Sequence, residues 1–78
     1  MEYADFKNRV LEMYRERLSN GVKSEKARVF NTVDFPELDT GTFSEFANML
    51  KFDGYITGKV YLRNFSLNSE AVEEALEK

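Results

Sequence analysis

Apolar residues in the first part of the chain recur at helical spacing. Tyr3, Phe6, Val10, Met13 or Tyr14, and Leu18 step by three or four, which places them on one stripe of a helix. Leu11 widens the stripe, while Lys7, Asn8, Arg9, Glu12, Arg15, Glu16 and Arg17 fill the other face. Asn20-Gly21 ends the element, since glycine accepts the left-handed cap. The pattern predicts a first helix over residues 3–18. Ser24-Glu25-Lys26-Ala27 reads as a second, short helix with Ser24 as its N-cap. A strand over Arg28–Val33 is the rival reading, because Val29, Asn31, Thr32 and Val33 dilute the helical signal. Turns are expected at Asp34-Phe35-Pro36 and at Asp39-Thr40-Gly41.

Thr42-Phe43-Ser44-Glu45 fits a capping box, with Thr42 as cap and Glu45 reaching back. Phe43, Phe46, Ala47 and Leu50 then follow at i, i+3, i+4 and i+7, and Gly54 stops the run. A third helix is therefore predicted over about residues 43–53. Met49 and Phe52 extend its apolar surface beyond one stripe. Tyr55–Leu62 is rich in β-formers, Arg63-Asn64 offers a turn, and Phe65-Ser66-Leu67 offers a return strand. Gly58 marks a bulge or a second turn within this hairpin. Asn68-Ser69-Glu70 starts a terminal helix with a narrow apolar face of Ala71, Val72, Ala75 and Leu76.

Short helices followed by a hairpin give the layout of a winged helix-turn-helix, an α+β fold. The expectation is three helices, a β-hairpin wing and a short C-terminal helix in one domain, residues 1–78. Phe43, Phe46, Leu50 and the run Gly54-Tyr55-Ile56-Thr57-Gly58 resemble the YjcQ-like winged-helix family, small proteins of Gram-positive bacteria and their phages. Val10, Leu11 and Tyr14 resemble that family's first helix, and Leu67–Ala71 its end. The chain departs there: Asn68 stands for Thr, Ala71 for Gly, and Ala75 precedes Leu76 where Tyr is usual. The likeness covers most of the chain. It implies a winged-helix fold and a phage- or prophage-related origin.

Length changes the picture only by excluding a second domain, since 78 residues fall below the usual size of one. The absence of Cys and His removes disulfides, thiol chemistry and imidazole catalysis. Asp34, Glu37 and Asp39 are three carboxylates in one stretch, but their spacing is not that of a calcium loop. Gly54–Lys59 lacks the spacing and the following Ser or Thr of a phosphate loop. The chain reads as a non-enzyme without cofactor or metal. The N-terminus has no basic and apolar leader, and no apolar run approaches the roughly 20 residues of a membrane span. A cytoplasmic location without a membrane partner is expected.

The net charge is −3, but its distribution is uneven. Residues 1–30 carry +2, 31–53 carry −4, 54–69 carry +2 and 70–78 carry −3. Lys23, Lys26, Arg28, Lys59 and Arg63 therefore form a candidate basic edge for double-stranded DNA, the last two on the wing. The third helix adds Ser44 for a phosphate, Asn48 for an adenine edge and Lys51 as its single cation. With two anions and no Arg among its outward groups, it is a poor recognition helix. That charge, with an aromatic surplus in Tyr3, Tyr14, Phe52, Tyr55, Tyr61 and Phe65, supports a second reading. In it the domain is an interaction module for a protein partner or a homodimer. The leading expectation is weak or context-dependent DNA binding in an accessory regulatory role.

Overall fold

A computed structural model of the chain describes residues 1–77; Lys78, the last residue of the expected single domain, lies outside the described residues. The helices are α1 (Tyr3–Ser19), α2 (Ser24–Ala27), α3 (Thr40–Phe52) and α4 (Ser69–Leu76). Two strands, β1 (Val29–Asn31) and β2 (Asn64–Ser66), form one antiparallel sheet. A 3₁₀ turn at Thr32–Asp34 follows β1. The α+β class and four helices agree with the sequence reading.

The predicted stops hold for a backbone reason. Gly21 has φ of 85° after α1 and Gly54 has φ of 92° after α3, where a Cβ is disfavoured. The starts differ. Lys23, not Ser24, holds the cap position of α2. The cap of α3 is Asp39, whose carboxylate accepts from the Thr42 amide at 2.7 Å. The cap thus lies three residues before the one read at Thr42, and Gly41 is inside the helix. Both readings of residues 24–33 are partly right, because the short helix ends at Ala27 and the strand starts at Val29.

The strand pairing is the main correction. Residues 55–62 form no strand, and β2 pairs with β1 rather than with them. The register sets Val29 opposite Ser66, Phe30 opposite Phe65 and Asn31 opposite Asn64. Backbone bonds from Leu67 N to Arg28 O (2.9 Å) and from Thr32 N to Arg63 O (3.0 Å) extend this ladder. Phe30 and Phe65 point into the core with rings stacked 5.5 Å apart, whereas Val29, Asn31, Asn64 and Ser66 are exposed.

The chain still reverses where the sequence predicts a turn, with Tyr61 N donating to Asn64 O at 3.0 Å. Lower down, Asn68 N donates to Tyr55 O at 2.8 Å. Between these bonds one arm runs from Tyr55 to Tyr61 and the other from Asn64 to Asn68, so the first is two residues longer. Gly58 lies at a bend within this longer arm; with no strand on either side of it, it is not a bulge in a ladder.

The core is aromatic. Phe6 packs on Phe35, Phe43, Phe46 and Phe65, with ring centroids 4.7–6.2 Å apart. Val10, Tyr14, Ala27, Ala47, Leu50, Ile56, Leu67 and Val72 complete it, so every helix contributes. Of the six aromatics read as surplus, Tyr14 and Phe65 are buried, and Tyr3 and Tyr55 pack half-buried against the core. Only Phe52, at 92% exposure, and Tyr61, at 52%, remain outside.

Polar ties fix the layers. Arg17 donates from Nη1 to the carbonyls of Ala27 (3.1 Å) and Val29 (2.8 Å) and from Nη2 to Asp34 (3.2 Å). Its guanidinium lies 4.3 Å from the Phe30 ring centroid. The three clustered carboxylates are all engaged: Asp34 with Arg17, Glu37 with Arg9, and Asp39 as the cap of α3. Tyr3 donates to Asp53, which ties the start of α1 to the end of α3. None of the described helices is long and apolar enough to cross a membrane.

Candidate nucleic-acid interface

Arg28 sits at the C-cap of α2, half-buried, with its carbonyl held by the Leu67 amide. Its Nε is buried and has no hydrogen-bond partner. No carboxylate lies within 4.0 Å of its guanidinium among the described residues. A buried donor left unpaired costs about 1–3 kcal/mol.

Beside it is a depression of about 300 Å³ lined by Arg28, Thr57, Gly58, Lys59, Tyr61, Ser66, Leu67 and Asn68. Two of these residues are cations and none is an acid. Lys59 is exposed, and its ammonium lies 5.4 Å from the Tyr61 ring centroid, which restricts where it points. Asn68 fastens the walls. Its Oδ1 accepts from Ala71 N at 2.9 Å and caps α4, while its Nδ2 donates to Thr57 Oγ1 at 3.2 Å.

A second depression, of about 430 Å³, lies on the other side of Arg28 and is lined by Ser24, Glu25, Arg28, Asn68, Ser69 and Glu70. The Ser24 and Ser69 hydroxyls meet there at 2.9 Å. Its two carboxylates make it a weaker place for an anion. Arg28 therefore divides an acidic hollow from a basic one.

The remaining basic residues spread outward. Lys23, at the cap of α2, and Lys26, within it, are exposed just before Arg28, with the exposed Glu25 between them. Arg63 is exposed at the far end of the ladder, where its carbonyl accepts from Thr32. Arg28 and Arg63 thus flank the strand pair, roughly 13 Å apart at about 3.3 Å per residue. Of the five residues of the expected edge, only Arg28 and Lys59 line a common hollow.

Ser44, Asn48 and Lys51 lie apart, on α3. Asn48 donates its amide to Ser44 O at 2.9 Å, so one of the two groups needed to grip an adenine edge is engaged within the helix. Ser44 is half-buried, while Lys51 is exposed beside the exposed Phe52. Met49 and Phe52 make the end of this helix apolar where a groove-reading surface needs polar side chains.

Sequence reasoning found both cations of the hollow but not the hydroxyls of Thr57, Tyr61 and Ser66 or the tether by Asn68. The available signal was Gly58, since a glycine inside a β-rich run weakens it as a strand. A scan of protein-family models, a search of curated proteins and a search of solved structures each returned no match to this chain.

Proposed function

We propose that this protein is a winged-helix-type domain that binds double-stranded DNA through phosphate contacts, in an accessory regulatory role. The observation that carries this reading is the pairing of Arg28 and Lys59 at one acid-free hollow, in a chain whose net charge is −3. Cations are brought together there against the overall balance. Lys23, Lys26 and Arg63 extend the basic surface on either side. Contacts of this kind position a duplex without reading its sequence. The turn at Tyr61–Asn64 takes the role of a wing, and the resemblance to the YjcQ-like family belongs to the same proposal. Five phosphate contacts give a slope of log K against log salt of roughly −4 to −5. Fluorescence anisotropy with a labelled mixed-sequence duplex tests this. Lys59→Glu with Arg63→Glu abolishes binding in this account, and unchanged binding removes the wing from it.

A protein partner is the second reading, favoured by the exposure of Phe52 and Met49 at the end of α3. An aromatic ring almost wholly in solvent, with a methionine one turn away, resembles an interface anchor more than a DNA-reading surface. A sedimentation mass that rises with concentration, and that Phe52→Ser returns to the monomer value, would establish its homodimeric form.

A further inference from the structure

The bend at Gly58 lies beside Arg28 at the edge of a hollow. Between the Asn68–Tyr55 and Tyr61–Asn64 backbone bonds, residues 57–59, Tyr61 and Ser66 of β2 line this hollow of about 300 Å³, with Arg28 on its wall. A buried guanidinium nitrogen without an acceptor marks either strain or an acceptor that belongs there. Lys59 faces the same hollow, and three hydroxyl groups, those of Thr57, Tyr61 and Ser66, line it. A guanidinium fork, an ammonium and hydroxyl donors are the groups that hold a tetrahedral oxyanion.

We propose that this hollow is a discrete site for one phosphate group, with Arg28 as its anchor and Lys59 as the second cation. Arg28 turns its Nε edge toward the anion and satisfies a donor that is unpaired in the free protein. Glu25 and Glu70 lie in the neighbouring depression and repel an anion there, so the phosphate settles on the Lys59 side of Arg28. The phosphate belongs either to a small molecule or to a nucleic-acid backbone; the two share the recognised chemistry. The inference rests on the nucleic-acid reading only for that source.

The test is a nuclear magnetic resonance titration of the labelled full chain with inorganic phosphate, against sodium chloride at matched ionic strength. Saturable shifts of the Arg28 Nε–H and of the amides of residues 57–61 and 66–68 are expected. Lys59→Ala, on an exposed loop, weakens the apparent affinity about tenfold, and Arg28→Lys, which keeps the charge and loses the fork, does the same. Shifts that fail to saturate, or that spread equally over Lys23, Lys26 and Lys51, overturn the proposal. A duplex titration then separates the sources. Phosphate binding without duplex binding keeps this site and discards the DNA reading. Duplex binding whose shifts bypass the hollow does the reverse.

Discussion

Leu50 lies on the inner face of α3 with no exposed surface, among the rings of the core. Leu50→Ala removes that packing and costs about 2–5 kcal/mol. A chain of this size holds only about 4–12 kcal/mol in all, so urea unfolding reads the loss directly. A loss below about 1 kcal/mol would mean the apolar face is misplaced. Arg17 was assigned to the solvent face of α1 by spacing, yet it bonds two carbonyls and a carboxylate on three successive segments. Periodicity ranks a residue by its polarity and misses a long side chain that bends back over the core. Arg17→Ala should cost about 2–3 kcal/mol, since each bond to a charged donor contributes more than a neutral one. Arg17→Lys should recover less than half, because an ammonium cannot span all three acceptors. Equal stability of the Lys variant and the native chain in the same unfolding assay would refute the clamp.

At the scale of elements, α1, the core face of α3 and the cap of α4 were legible because local chemistry decides them. Phe43, Ala47 and Leu50 repeat at helical spacing, and Asn68 is a strong cap in any context. The start of α3 was not, because two caps compete within four residues and the Asp39 carboxylate outranks the Thr42 hydroxyl. The bond from the Thr42 amide lowers the pKa of Asp39. A depressed carboxylate stabilises the fold above its unfolded value and loses that contribution as pH falls through the folded one. Helix α3 should therefore fray from its N-terminus only in strong acid, below the usual aspartate range near 3.8. The Thr42 amide shift, followed against pH, should have its midpoint below that range, whereas a midpoint at the ordinary value would remove the cap. The sheet was least legible. β-propensity in residues 55–62 predicts a local hairpin, but Phe65 stacks on Phe30 across the β1–β2 pair, and the arm from Tyr55 to Tyr61 is two residues longer than the one it would pair with. The hollow beside Arg28 depends on that long-range choice, so its cations were visible in the sequence and their convergence was not.

Across the whole molecule, charge is sorted only in part, since Glu25 stands exposed between Lys23 and Lys26. Glu70, Glu73, Glu74 and Glu77 are exposed on or next to α4, while Lys23, Lys26, Lys59 and Arg63 are exposed along the segments flanking the sheet. A uniformly acidic particle would be repelled by a polyanion from every side, so the proposed binding needs the approach over Arg28 and Lys59, where the hollow has no acid. The preference is electrostatic, so it weakens steeply with salt. The most direct measurement is an amide-shift titration with a mixed-sequence DNA duplex, first at low and then at physiological salt. The account predicts salt-sensitive shifts at Lys26, Arg28, Lys59 and Arg63, with Asn48 and the rest of α3 unmoved. No shifts at low salt, or shifts centred on Met49 and Phe52, would contradict it.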